Sequence, residues 1–358
     1  MFITQAQALE EIAAALAAEP AIALDTEFMR ERTYRAELCL VQIASPRIAV
    51  CVDPIALPAL EPLSQVLAQL STVKVLHAAR QDLEVLQPQC GSVDGVFDTQ
   101  IAAGLAGFAA QVGYAELVAK LLSVELAKAH TRADWSKRPL SPEQIEYALD
   151  DVRYLLPLRE RLLETLDKLG RIDWLTEELA GLVAPAGSSA APENAWRRIK
   201  GLQGLDPPRE ALTRSLAAWR ERRAIERNRP RGWIVDDNVL REIIWRVPRT
   251  AAALAAVPEI AEGLLRNCGE ELLTLIAASA IPDPPAPLPR RARPDPEFTA
   301  RIKRLAATVQ SVALDLGIAP EVLATRRDLE DYARGAESSS VLNGWRARAI
   351  GDALRAAA

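Results

Sequence analysis

Asp25 and Glu27 stand two apart, directly after the apolar run Ala21-Ile22-Ala23-Leu24. Such a run reads as a buried strand, and in an extended chain residues i and i+2 leave the same face. Two carboxylates therefore point together at the end of that strand, beside a hydrophobic core. Left bare, they repel and one keeps a proton. A divalent cation relieves the repulsion and prefers such oxygen ligands. Asp-x-Glu by itself also describes many acidic loops that follow strands, so the pair gains meaning only from partners. Asp82 opens a helix after the VKVLHAA strand at 73–79, and Tyr147 and Asp151 lie four apart, on one face of a helix. Three elements can thus bring Asp25, Glu27, Asp82 and Asp151 to one end of a sheet. Four carboxylates around two divalent ions equip a site for in-line displacement at phosphorus, one ion activating a water and the other stabilising the leaving oxygen. Tyr147, with an ordinary pKa near ~10, suits orienting that water or relaying a proton. Spacing alone leaves Glu84 and Asp150 as competitors, and His77 reads as a packed residue rather than a ligand.

The elements around these residues follow from periodicity. Residues 4–18 carry Leu9, Ile12 and Leu16 at helical spacing. The strand bearing Asp25 comes next. Two more strands, ending ERTYRAELCLVQIA and within RIAVCVDP, are joined across Ser45-Pro46-Arg47 as a hairpin. Helical periodicity returns at 59–70, VKVLHAA is a fourth strand and VDGVFDT a short fifth. Strands alternating with helices after an initial hairpin predict a mixed sheet flanked by helices. Ser141, Pro142 and Gln144 form a capping box with Pro at the first helical position. The helix they start runs through IEYALDDVRYLL, and Pro157 is expected to kink or break it near Leu156. Two stretches rich in Pro, Gly and small residues, 181–195 and 282–296, read as linkers, the second stiffer because of its prolines. The chain divides at them into residues 1–183, 196–281 and 295–358, the last two helical.

With 358 residues, 49% hydrophobic and 25% charged, the chain has globular composition and length for two or three domains. It has no apolar run of membrane-spanning length and no leader-like N-terminus, so a cytoplasmic location and no membrane partner are expected. Cys39, Cys51, Cys90 and Cys268 have no paired spacing and read as reduced thiols. His77 and His130 are the only histidines, which excludes a histidine-rich metal site. Residues 1–183 carry 16 Lys and Arg against 26 Asp and Glu, whereas residues 184–358 carry 27 against 22. An acidic catalytic half joined to a basic half fits a metal enzyme that grips a polyanion away from its metals.

Taken together, the motifs resemble ribonuclease D, a family of the DEDD superfamily of 3'-5' exonucleases. DTEF extends into R-x-R-T-Y at Arg30, Arg32, Thr33 and Tyr34. LHAARQDLEVL places the family aspartate at Asp82 and not Glu84. FDTQIAA follows at 97–103, and YALDDVRYLLPL assigns Tyr147 and Asp151 and sets Asp150 aside. Tyrosine at 147 is similar to the DEDDy branch. Residues 216–248, LAAWRERRAIERNRPRGWIVDDNVLREIIWRVP, resemble an HRDC domain, a small helical module of nucleic-acid enzymes, with Pro230, Ile234, Asp237, Leu240 and Ile243 on its spacing. The final segment resembles a degenerate second HRDC-like domain.

The resemblance implies an RNase H-like α/β nuclease domain followed by two all-α HRDC-like domains. It implies an exoribonuclease that uses two Mg²⁺ or Mn²⁺ ions, releases nucleoside 5'-monophosphates and trims tRNA precursors and other structured RNA 3' ends. A DNA 3' exonuclease with the same site and a catalytically idle RNA-binding scaffold are the rival readings. Four converging carboxylates serve no purpose in a scaffold. Within the basic run at 220–231, Arg222, Arg223, Arg227, Arg229 and Arg231 are candidate phosphate contacts, with a solvated helix face as the equal alternative. Because the carboxylates all fall within 1–183, that segment is expected to suffice for cleaving short strands.

Overall fold

The computed structural model of the 358-residue chain describes residues 1–126, 133–182, 191–202, 205–279, 281–282, 295–336 and 339–357. Most of both expected linkers, at 183–190 and 283–294, and His130 lie outside the described residues. What is described of the first linker's far end is ordered. Residues Pro192–Arg198 form a 3-10 helix with Ala195 buried.

Six strands make one sheet: β1 (Phe2–Ile3), β2 (Ala21–Met29), β3 (Glu37–Ala44), β4 (Ala49–Val52), β5 (Val73–Leu76) and β6 (Val96–Asp98). Their order is β1-β4-β3-β2-β5-β6. β2, β3 and β4 are antiparallel neighbours, and the outer pairings, β1 with β4 and β5 with β2 and β6, are parallel. The expected mixed sheet is therefore present, with β1 as a short strand that periodicity does not reveal. β3 is buried along seven of its eight residues, as befits a central strand covered on both faces.

Eight helices follow through the nuclease part: α1 (Ala6–Ala17), α2 (Glu61–Leu67), α3 (Arg80–Cys90), α4 (Thr99–Leu105), α5 (Tyr114–Leu122), α6 (Pro142–Arg153), α7 (Leu155–Lys168) and α8 (Ile172–Leu182). α6 starts on the expected capping box. Ser141 Oγ accepts from the Gln144 N–H, and Gln144 Oε1 accepts from the Ser141 N–H. It ends at Arg153 and α7 begins at Leu155, so the break falls at Tyr154 rather than near Leu156. The reason is that Pro157 acts four residues back. It has no N–H for the Arg153 carbonyl, and its ring crowds that oxygen. The helix stops where the missing bond would have been.

The chain forms two compact units. One comprises residues 1–29, 37–184 and 294–358; the other comprises 30–36 and 185–293. In the first unit, residues 295–357 share one hydrophobic core with the sheet and α4–α8. Leu305, Val309, Leu323, Val341, Trp345 and Leu354 from the C-terminal segment belong to the same cluster as Phe97, Leu117, Leu158, Leu162 and Leu175. Trp345 stacks on Trp174, 4.4 Å between centroids and 14° between planes. The Trp345 N–H donates to Glu177 and its indole N–H to Glu178. The second unit has a core of its own, built on Leu212, Leu216, Leu240, Ile243, Leu272 and Ile276. Among the described residues no helix is long and apolar enough to cross a membrane, and all four cysteines are buried and free.

Candidate active site

Strand β2 runs past the carboxylates to Met29, so Asp25 and Glu27 lie inside it and not at its end. Their exposure has another origin. β5 pairs with β2 only at Ala21, Ile22 and Ala23, and beyond Ala23 that flank of β2 has no neighbouring strand. Asp25 faces Gln42 and Glu27 faces Leu40 in β3, and the register shifts only after Glu27. The two carboxylates therefore keep the same face before the bulge re-aims the strand. That face is covered by α6, which packs on β2, β3 and β4 and brings Tyr147 and Asp151.

Asp82 arrives differently. β5 ends at Leu76 and the chain turns through Ala78, whose φ of 58° is unusual for a residue with a Cβ. The Asp98 carboxylate holds this turn. It accepts N–H groups from Ala78 (3.1 Å) and Ala79 (2.9 Å) while capping α4 through Gln100 and Ile101. The turn aims the first turn of α3, and there Thr26 Oγ1 donates to Asp82 Oδ1 at 2.6 Å. Thr26, between the two strand carboxylates and pointing to the opposite face, thus fixes the third. Thr26 and Asp98 are invisible to a search for metal ligands. Their sequence signal is only their place inside DTEF and FDT.

The four carboxylates sense one another. Burial first, then Asp82, Asp151 and Glu27, push Asp25 well above the usual carboxylate range. Burial, with Asp151 and Asp82, raises Glu27 to about 8. Burial, then Asp150, raises Asp151 to about 7 despite a hydrogen bond from Tyr147. Burial raises Asp82 to about 6 against the opposing bond from Thr26. Tyr147 is itself shifted upward by burial and by Asp151, Glu27 and Asp25, so it stays protonated. Asp150 turns away to Arg153 at 2.5 Å, in line with its exclusion. His77 has both ring nitrogens engaged, with Thr99 Oγ1 at 2.9 Å and the Val112 carbonyl at 3.0 Å, which makes it a packed residue.

Tyr147 is set by a loop that the sequence reading passed over. Trp135, 4% exposed, stacks on its ring at 6.2 Å and 28°. The Trp135 carbonyl accepts from Arg138, whose guanidinium grips buried Asp53 with two 2.7 Å bonds and also donates to the Cys39 carbonyl. Burial opposes the Asp53 charge, but the Arg138 bonds outweigh it and hold that carboxyl below its usual value.

Divalent ions fit this donor set. Asp25 is raised by Asp82, Asp151 and Glu27, and Glu27 by Asp151 and Asp82, with no cation among the causes, and the buried Gln42 amide opposite Asp25 has no hydrogen-bond partner for either its Nε2 or its Oε1. Among the described residues no three His, Cys, Asp or Glu side chains already close on one point. Such an open arrangement suits Mg²⁺, which keeps waters and binds through one or two carboxylates plus substrate oxygens.

A profile described as "3'-5' exonuclease" matches residues 1–167, and one described as "HRDC domain" matches residues 209–276. Ribonuclease D of Acidiphilium cryptum is 41% identical, the alignment covering 99% of this chain and 92% of that protein. Ribonuclease D of Gluconacetobacter diazotrophicus is 39% identical over 98% and 91%. The chain belongs to the ribonuclease D family. The Escherichia coli RNase D crystal structure superposes with a TM-score of 0.89 at 30% identity, covering 100% of this chain and 98% of that one. The RRP6 catalytic core of Trypanosoma brucei gives 0.60 at 26% identity over 77% and 78%. The ribonuclease D relationship makes this chain a 3'-5' exoribonuclease with an HRDC domain.

The candidate arginines of that HRDC domain separate into two groups. Arg222 faces Glu193 at 3.3 Å, Arg223 is tucked against Glu271 at 3.1 Å, and Arg231 lies 3.7 Å from Glu221. Arg227 and Arg229 are exposed and make no ion pair among the described residues. Three of the five candidate arginines in the basic run are thus engaged in ion pairs, and two are not paired with a carboxylate among the described residues.

Proposed function

We propose that Asp25, Glu27, Asp82 and Asp151 hold two Mg²⁺ or Mn²⁺ ions, and that the chain removes nucleoside 5'-monophosphates from RNA 3' ends. The observation that carries this is the gathering of four carboxylates beside a protonated tyrosine, with Asp25 raised by the other three and Glu27 by Asp82 and Asp151. When bound, the ions lower the pKa of the attacking water and stabilise the leaving oxygen. Thr26 keeps Asp82 in its rotamer, and Asp98 keeps the turn that delivers it. Tyr147, pinned between Trp135 and Asp151, keeps its proton and orients the water by hydrogen bonding rather than by abstracting a proton from it. The residues suit any RNA 3' end that can enter as a single strand. tRNA precursors are the proposed substrates, since E. coli RNase D is described as acting in structured RNA processing. Residues 295–358 are proposed to be a degenerate second HRDC-like domain that has been absorbed into the nuclease core.

The test is a tRNA precursor with a 3' overhang, incubated with Mg²⁺ or with EDTA, and the products resolved base by base. Stepwise shortening from the 3' end with release of 5'-monophosphates, stopped by EDTA, is expected. Endonucleolytic fragments, or turnover indifferent to EDTA, would overturn the reading. Tyr147→Phe keeps the ring on Trp135 and removes the hydroxyl. Turnover should fall on the order of 10²-fold, the lower end of general acid-base effects, with RNA affinity near wild type. Unchanged turnover would leave Tyr147 as packing.

Proton linkage gives a second check on the same carboxylates. Glu27 and Asp151, raised to about 8 and about 7, hold protons in the folded state that the unfolded chain has already released above about pH 5. Unfolding then releases protons, so the metal-free protein loses stability as pH rises from about 5 to 8. Its melting temperature in EDTA should fall across that window, and Glu27→Gln should flatten the fall. The gain on adding Mg²⁺ should be largest at the alkaline end, because ligands must be deprotonated. A melting temperature in EDTA that climbs with pH would contradict the shifts.

A further inference from the structure

The second unit carries a charged, aromatic face that the metal site does not use. Segment 30–36, which leaves the strand of Asp25 and Glu27, belongs to this unit. Three hydrogen bonds bolt it down. Asn228, in the left-handed region at φ 45°, accepts the N–H groups of Tyr34 (3.1 Å) and Arg35 (3.5 Å) on its Oδ1. The Tyr34 hydroxyl donates to Glu221 at 2.5 Å, a carboxylate 1% exposed that also faces Arg198 and Arg231.

Around this bolt, Arg32, Arg35, Arg227 and Arg229 are exposed and make no ion pair among the described residues. Arg214, Arg222 and Arg246, also exposed in this unit, spend their charge on Glu210, Glu193 and Glu242. Glu31 and Glu226 lie in the same stretches and pair with none of the four. Beside them Trp233 is 59% exposed, and the Arg229 guanidinium lies 5.7 Å from its ring centroid. Isolated exposed arginines are ordinary solvated groups, and an exposed tryptophan is ordinary when single. Four unneutralised like charges beside one bare indole repel one another and lose apolar burial, and a ligand with anions and flat rings would reverse both costs.

We propose that this face is a nucleotide station for the single-stranded part of the RNA. A base stacks on Trp233, and flanking phosphates are held by Arg32, Arg35, Arg227 and Arg229. The station rests on the exoribonuclease reading and adds where the strand is gripped upstream of its 3' end. Four residues separate Arg32 from Glu27 along the chain, so the segment that leaves the carboxylate strand is also the one that meets the phosphates. Stacking on an aromatic tolerates every base, as an enzyme that shortens a strand one nucleotide at a time requires.

The experiment uses the full chain, wild type, Trp233→Ala, Trp233→Phe and the double variant Arg227→Ala/Arg229→Ala. Affinity and kcat/KM are measured on single-stranded RNAs of two to twelve nucleotides and on abasic strands of matched length. Trp233→Ala should weaken binding about tenfold, a defect that grows with strand length, vanishes on abasic strands and is rescued by Trp233→Phe. The arginine pair should lower the slope of log affinity against log salt by about 1.4, from about 0.7 for each single-strand phosphate contact. A tryptophan defect of equal size at every length, or equal on abasic strands, overturns the station. So does binding unchanged in all variants, which would assign the face to a protein partner. Metal-dependent shortening that persists in those variants leaves the exoribonuclease reading standing, so the two failures are distinguishable.

Discussion

Asp25→Asn should lower turnover by more than the ~10- to 100-fold that loss of an outer-shell group costs a metal site, with the fold intact. Asp25 is the residue on which the other three carboxylates converge electrostatically, and Asn has the same shape without the charge. Its removal leaves one fewer anion to hold the ions. It also removes the repulsion that Asp82, Asp151 and Glu27 exert at this position, and the cost of burying its charge. The variant should therefore melt higher than wild type in EDTA at pH 8 while being nearly inactive in Mg²⁺. Near-full turnover at saturating Mg²⁺ would remove Asp25 from the site. Lost activity with a lowered melting temperature would mean that Asn had damaged the strand and not the chemistry.

The second large effect is on folding. The segment 1–183 holds every candidate catalytic residue, yet it should not be a stable nuclease by itself. Cutting there removes the partners of Trp174, Leu175 and the α4–α8 core. It also strips Arg171, 7% exposed, of the Leu316 carbonyl to which it donates. Residues 1–183 expressed alone are expected to be insoluble or molten, with exposed apolar surface. The point variant Trp345→Ala is the finer measurement. Truncating a fully buried tryptophan costs about 3–5 kcal/mol, and the Glu177 and Glu178 bonds to its neighbourhood are loosened as well. Denaturant unfolding should show that loss. A well-folded, active 1–183 fragment would show the shared core to be dispensable.

How far the residues alone led differs from element to element. The paired face of Asp25 and Glu27 was legible because strand alternation is local, and the start of α6 because Ser141 and Gln144 satisfy each other within four residues. Position along β2 was not legible. It depends on where β5 stops pairing, which is a tertiary fact. The end of α6 was misplaced because a proline's effect is felt at the carbonyl four residues earlier. Arg222, Arg223 and Arg231 looked like a phosphate patch in a one-dimensional reading, but Glu193, Glu271 and Glu221, distant or unremarked in sequence, neutralise them. Thr26, Asp98, Trp135 and Arg138 escaped because each acts on another side chain and not on a substrate. The fate of 295–357 could not be read at all. A helix with one apolar face looks the same whether that face closes its own bundle or someone else's.

That last packing has a consequence for biosynthesis. The carboxylate set is complete once residue 151 has been made, and all six strands by residue 98. The core beneath them closes only when Trp345, Ile350 and Leu354 arrive, within the final 14 residues of the chain. At about 5–20 residues per second, roughly 10–40 seconds separate the last carboxylate from the last helix. Over that interval the carboxylates exist without the core that supports them, so closure of the nuclease core waits on the helix that carries Trp345, Ile350 and Leu354.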